Sequence, residues 1–213
     1  MKVVGSGWGR STMARGYLIA IEGIDGAGKT VNARWLVRRL RSCGYKAVYT
    51  REPTDGPVGR LLRRMLRRGE TGPEMDALLF AADRLYHVRR FLEPKLMSGY
   101  IVVSDRYLYS SIAYQGALTG DRAWVELLNK HCPEPDLAIY LDVDPDTGLR
   151  RKVGSRFRAF EDARVLETVR SIYLELCGEG KMVRIPAERE LEEVRAEIAK
   201  TVSGRLGIDV TKG

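Results

Sequence analysis

The sequence predicts an α/β fold of three layers, with about five parallel strands covered by helices on both faces. Three observations lead there. Short apolar runs alternate with stretches of helical period along most of the chain. The runs are continuously apolar rather than alternating, as in strands buried on both faces. A glycine-rich turn ending in Lys-Thr joins the first apolar run to the first helical stretch.

Residues 1–16 are rich in Gly, Ser and Arg and carry no period. They read as a disordered extension, or as a start misplaced upstream of Met13, and the fold is expected as a single domain over residues 17–213. The apolar run Leu18-Ile19-Ala20-Ile21 predicts a strand ending at Glu22, followed by a helix over Lys29 to Ser42 and a strand over Ala47 to Thr50. Helical stretches follow from Val58 to Arg68 and from Glu74 to Met97. Tyr100 to Ser104 and Leu137 to Leu141 read as buried strands, Arg122 to His131 and Phe160 to Leu176 as helices. Met182 to Ile185 and Arg189 to Val202 supply a last strand and helix. No internal repeat is present.

The turn after the first strand, Gly23-Ile24-Asp25-Gly26-Ala27-Gly28-Lys29-Thr30, fits GxxxxGK[ST] between a strand and a helix, the setting of a phosphate-binding P-loop. Glycines let consecutive N–H groups turn toward phosphate oxygens, and the following helix adds the positive end of its dipole. Lys29 would reach the β- and γ-phosphates of a bound nucleotide, and Thr30 would ligate Mg²⁺.

A net charge of +8, with 27 arginines against 9 lysines, suits acidic partners, whether polyphosphate or nucleic acid. Cys43, Cys132 and Cys177 are odd in number and far apart, which indicates neither a disulfide framework nor a zinc site. His87 and His131 are isolated and read as surface or helix-packing residues. No apolar run approaches the ~20 residues of a membrane span, and no secretory segment is evident, so a soluble, cytoplasmic protein is expected.

In open α/β sheets ligands bind beyond the carboxyl ends of the strands. The candidates there are Asp25, Arg51-Glu52-Pro53, Asp105-Arg106-Tyr107, and Asp142 with Asp144. Asp105 ends the run Ile101-Val102-Val103, where a P-loop protein keeps a carboxylate near its Mg²⁺, directly or through water. Arg106 offers a guanidinium fork for a second phosphate. The plainer alternative is that Asp105 and Arg106 pair with each other. Two phosphate-binding elements on adjacent strand ends suggest two nucleotides face to face, with transfer resting on positioning and charge neutralisation.

Four stretches, Glu22 to Thr30, Thr50-Arg51-Glu52-Pro53, Leu79-Phe80-Ala81-Ala82-Asp83-Arg84, and Asp105-Arg106-Tyr107-Leu108-Tyr109-Ser110-Ser111-Ile112-Ala113-Tyr114-Gln115, together resemble the thymidylate kinase family from Tyr17 to about Ile185. The resemblance implies a P-loop kinase fold with an arginine-bearing lid, a homodimer, and transfer of the ATP γ-phosphoryl group to dTMP with Mg²⁺. It further implies that Phe80 stacks on thymine and that Arg84, one turn later, bonds the base O4. Core packing for Phe80 and a plain surface site for Arg84 are the alternatives. By the same resemblance Arg51 and Arg106 hold the acceptor phosphate, and Asp25 meets the deoxyribose 3′-hydroxyl. Tyr114 sits under C2′, with Ser111 and Gln115 on the same segment, and the peptide bond before Pro53 is cis. Tyr107 reads as structural.

The P-loop variable positions Asp25, Gly26 and Ala27 contain no arginine, so the charge at the transferring group is expected from a lid at about residues 150–160. Arg151 and Arg156 are the expected donors, with Arg158 as a further candidate, and Phe160-Glu161 resembles the pair that follows the family's lid. A solvated basic helix end is the alternative. The run Arg60, Arg63, Arg64, Arg67 and Arg68 has no family counterpart and reads as a solvated face, with nucleic-acid contact the sharper reading. Competing functions are another nucleoside monophosphate or deoxynucleoside kinase, and a basic P-loop ATPase that binds nucleic acid. Phe80 with Arg84 and the Tyr114-Gln115 segment argue against the first, and the lack of an aromatic-interleaved basic stripe against the second.

Overall fold

The computed structural model describes residues 15–69, 71–151 and 162–210. Five parallel strands, β1 (Leu18–Glu22), β2 (Ala47–Arg51), β3 (Ile101–Asp105), β4 (Leu137–Asp142) and β5 (Val183–Pro186), lie in the order β2-β3-β1-β4-β5. Every residue of β1, β3 and β4 is buried, which is why these strands read as unbroken apolar runs. Helices α1 (Lys29–Ser42) and α9 (Leu191–Leu206) pack together on one face. Helices α5 (Leu108–Thr119) and α8 (Ala163–Gly178) pack together on the other. The three-layer α/β fold expected from the sequence is the fold observed.

Register carries the site. Pairing sets Ile21 level with Asp105, and Asp105 level with Arg51, so the three loops that follow leave the sheet side by side. The chain fills β2 and β3 on one side of β1 and then crosses to β4 on the other, so the direction reverses at β1, whose following loop is where open α/β sheets favour a ligand.

Helix α2 (Pro57–Arg68) starts on proline, and the stretch expected from Glu74 to Met97 runs as α3 (Pro73–His87), a π-turn at Val88–Leu92, and α4 (Glu93–Met97). Pro94 lacks an N–H and its ring would meet the carbonyl of Arg90, so the helix widens just before it. Helix α6 (Arg122–Leu128) stops short of His131, because the Asn129 side chain donates to the Val125 carbonyl at 2.8 Å.

Two helices had no sequence signal. Leu108 to Gly116 in α5 is buried on every side, which erases the apolar stripe by which a surface helix is recognised. Helix α7 (Pro145–Arg151) is only seven residues long. The start of α8 is set at Asp162, whose side chain accepts from the Arg164 N–H at 2.9 Å. Arg15 and Gly16, assigned by sequence to the extension, belong to the fold. Arg15 pairs with Asp136 at 3.0 Å, and Gly16 packs so tightly on Tyr100 that a Cβ would lie 1.9 Å from its carbonyl oxygen.

Candidate functional site

Gly23, Gly26 and Gly28 have φ of 141°, 83° and 85°, which only glycine adopts freely, so the loop after β1 curls over the start of α1. Lys29 is buried and donates from Nζ to the Ile24 carbonyl at 2.7 Å, with the Asp25 carboxylate at 3.5 Å. Burial, helped by the charge of Arg106, lowers its ammonium to about 8. Such a cation is poised for phosphate oxygens. The exposed Thr30 donates its hydroxyl to Asp105, which also accepts from Tyr49 at 3.2 Å. A hydroxyl and a carboxylate together at a P-loop are a donor set suited to Mg²⁺. Among the described residues no group of three or more His, Cys, Asp or Glu could hold a metal by themselves.

Arg106 has φ of 67°, the one left-handed non-glycine residue among those described. Such a conformation costs about 1 kcal/mol or more and persists only where its surroundings impose it. Here its N–H donates to Ile21, its carbonyl accepts from the Ser104 hydroxyl at 2.7 Å, and the next N–H, of Tyr107, donates to Glu22 at 3.0 Å. The turn sends the guanidinium to Asp25, to the Gly23 carbonyl (3.0 Å), to Ser110 (3.1 Å) and over the Tyr114 ring. Glu22 beneath it is fully buried, and burial pushes its carboxyl up to about 6 against the Ser110 hydrogen bond and the charge of Arg106. Asp105 and Arg106 therefore serve different partners, and the alternative of a simple mutual pair is not what the structure contains.

Asp25 and Arg106 form one end of a pocket whose walls include Phe80, Arg84, Ser111, Tyr114 and Gln115. Phe80 is half-buried on α3, and Arg84, one turn on, is 1% exposed, so it is no plain surface arginine. Its guanidinium donates to Glu52 (2.9 Å), Asn129 (2.6 Å), the Tyr107 carbonyl and Ser111 (both 3.0 Å). Burial would push the Glu52 carboxyl up, but Arg84 and His87 outweigh it and hold it below the ordinary value. Tyr107 donates to the Pro133 carbonyl at 2.9 Å, a structural role. The Glu52–Pro53 peptide bond is cis.

Sequence reasoning had Glu52 only as one of the strand-end candidates and His87 only as a surface or helix-packing residue, and assigned no role to Glu22, Leu66, Ser110 or Asn129. Leu66 and Ser110 line the pocket beside Glu52 and Pro53. His87 is buried, with Nδ1 3.0 Å from Glu52 and Nε2 2.7 Å from the Thr50 hydroxyl. Glu22 and Glu52 sit inside quoted motifs and were visible there, whereas Asn129 and His87 join only through the fold.

Other expected residues lie apart. Arg51 is half-exposed, faces Asp55 at 3.3 Å and is not among the pocket's walls. Asp142 is taken up by Arg170 (2.9 Å), Arg184 (2.6 Å) and Tyr140 (2.9 Å). Arg151, ending α7, donates to the Ala187 carbonyl at 3.2 Å. Arg156, Arg158, Phe160 and Glu161 lie outside the described residues, as does most of the expected lid. In the basic run, Arg63 braces the loop before α2 through the Pro53 carbonyl and Asp55, both at 2.8 Å, while Arg60, Arg64, Arg67 and Arg68 are exposed. No described helix is long and apolar enough to cross a membrane.

Comparison with known proteins gives the same direction. A family model described as thymidylate kinase matches residues 21–198. A probable thymidylate kinase of Pyrobaculum aerophilum is 44% identical over 188 residues, covering 86% of this chain and 95% of its own. Similar proteins of the same description occur in Staphylothermus marinus, 42% identical over 90% of this chain and 96% of its own, and in Pyrococcus horikoshii, 39% identical over 90% and 98%.

Proposed function

This chain belongs to the thymidylate kinase family, and we propose that it carries the γ-phosphoryl group from ATP on the loop Gly23–Thr30 to dTMP in the pocket between α3 and α5. The observation that supports the reading best is Asp25. A residue of the phosphate loop reaches Arg106 at the mouth of a pocket walled by an aromatic ring and a buried arginine.

In this reading Phe80 stacks on thymine, a contact worth ~1 to 3 kcal/mol. Arg84, fixed by Glu52, presents its guanidinium to O4 and disfavours the amino group of cytosine. Tyr114 crowds a 2′-hydroxyl, Ser111 and Gln115 line the nucleoside, and Asp25 accepts from the 3′-hydroxyl. Arg106 holds the acceptor phosphate, joined by Arg51 on leaving Asp55. An acceptor phosphate oxygen then bonds to the γ-phosphorus as the bond to the β,γ-bridging oxygen breaks, releasing ADP. Lys29 follows the negative charge during transfer, with Arg151 and Arg156 of a lid at about 150–160. Thr30 and Asp105 would hold Mg²⁺, which would neutralise phosphate charge during transfer.

The same proposal includes one domain, expected from residue 17 onward and joined by Arg15 and Gly16, acting in the cytoplasm as a homodimer. Met75, Leu78, Ala82 and Leu85 are exposed at three- and four-residue spacing on α3, a stripe suited to a second copy. The deciding assay supplies ATP and Mg²⁺ with dTMP, dUMP, UMP, dCMP, AMP or thymidine. Transfer to dTMP should lead the panel. A preference for AMP, or phosphorylation of thymidine itself, overturns the assignment.

A further inference from the structure

Helix α7 lies against the phosphate loop more closely than side chains allow. A Cβ on Gly148, in mid-helix, would stand 2.7 Å from the Asp25 carbonyl oxygen and 2.7 Å from Cδ1 of Ile24. One on Gly26 would stand 2.2 Å from the Gly148 carbonyl oxygen. Cβ atoms essentially never approach neighbours closer than 3.0 Å. The φ of Gly148 is not left-handed, so its own backbone does not call for glycine. The demand comes from the loop pressed against it.

Helix α7 is held at both ends, at its start by groups without a part in phosphate binding. At its start, Asp144 receives the Gly148 N–H at 2.9 Å on its carbonyl and the Asp146 N–H at 3.0 Å on its side chain. Arg170 reaches Asp144 at 3.4 Å while gripping Asp142, and the Asp144 N–H donates to Glu188. At its end, Arg151 donates to the Ala187 carbonyl. The ion cluster at the end of β4 thus acts as a seat for α7.

We propose that Gly148 is a positioning residue for phosphoryl transfer: its bare Cα on a clamped helix sets the backbone of Asp25 and Gly26. The idea rests on the reading of Asp25 as the link between the two sites. Asp25 touches both Lys29 and Arg106, so a displaced Asp25 backbone misaligns donor and acceptor together. Misplacement by about 1 Å can cost ~100-fold in rate.

The test is Gly148→Ala in the full chain, with Gly204→Ala on α9 as the control, since nothing lies within 4 Å of a Cβ there. Alanine is the better helix former, so Gly204→Ala should melt at or above the wild-type temperature, whereas in Gly148→Ala the clash with the Asp25 carbonyl offsets that gain and the variant should melt cooperatively a few degrees lower. Gly148→Ala should lose at least about tenfold in kcat, with KM for dTMP changed by less than about threefold. Its ADP affinity, read by calorimetry without any acceptor, should fall at least about fivefold because the loop itself has moved. The Ile24→Val/Gly148→Ala pair removes Cδ1 and keeps the carbonyl clash, so it should stay as slow. Wild-type kcat and ADP affinity in Gly148→Ala, recovery in the pair to the level of Ile24→Val alone, or loss of cooperative melting in Gly148→Ala would each overturn the proposal. A wild-type protein inactive on dTMP would refute the assigned function, and the ADP measurement would still decide the role of Gly148.

Discussion

Replacing Lys29 by methionine should make the nucleotide-free protein more stable while abolishing transfer. The ammonium is buried, and its fall from the ordinary 10.5 to about 8 measures how poorly the folded site tolerates the charge. At about 1.4 kcal/mol per pKa unit, the native state gives up ~3 kcal/mol to keep Lys29 protonated at pH 7. Methionine has a similar length and no charge to desolvate, but it loses the hydrogen bond to the Ile24 carbonyl, worth ~1 kcal/mol. The net gain is ~2 kcal/mol. For a chain of this size that raises Tm by ~4 to 8 °C. A folded pKa below the unfolded one means the unfolded chain binds the proton more tightly. The burden is therefore present in full below pH 8 and fades as pH rises toward 10.5. The stability gap between variant and wild type should narrow from ~2 kcal/mol at pH 7 to ~1 at pH 9. Thermal melts followed by circular dichroism at both pH values, beside an ATP and dTMP assay, check this. A Tm equal to or below wild type at pH 7, or a gap that widens with pH, would refute the reasoning that Lys29 is a strained cation kept for phosphate.

Glu52→Gln leaves the Arg84 guanidinium buried without its counter-charge, which should cost ~3 kcal/mol, or ~6 to 12 °C in Tm, and raise KM for dTMP with little change in KM for ATP. A melt within 2 °C of wild type would mean the pair carries little. Leu78→Glu puts a charge in the middle of the exposed α3 stripe, so a dimeric wild type should become monomeric in light scattering, and a wild-type monomer would refute the dimer.

Much of the fold was legible because burial on both faces leaves a plain mark: β1, β3 and β4 are unbroken apolar runs, and α1 begins and ends where its pattern does. Helix α5 was not legible for the converse reason, being buried all round. Within the site, Lys29, Asp25, Phe80, Arg84, Arg106 and Tyr114 stood in motifs whose spacing survives as proximity. Of their supports, Glu22, Glu52 and Ser110 lay in the same motifs, but Asn129 and His87 did not.

What the sequence by itself determined is the parallel sheet, the glycine-rich GxxxxGK[ST] loop after its first strand and the family resemblance, since these depend on local composition and short-range spacing. The tertiary structure alone decided how the site is held. The left-handed turn at Arg106 is imposed by Glu22, Ser104 and Ile21. The Arg84 guanidinium is fixed by Glu52 and by Asn129, which lies 45 residues away. The loop backbone is met by Gly148 on the helix that follows the neighbouring strand β4. Hydrogen bonds and close contacts depend on distances of a few ångströms, and residues far apart in the chain acquire those distances only when the strands align.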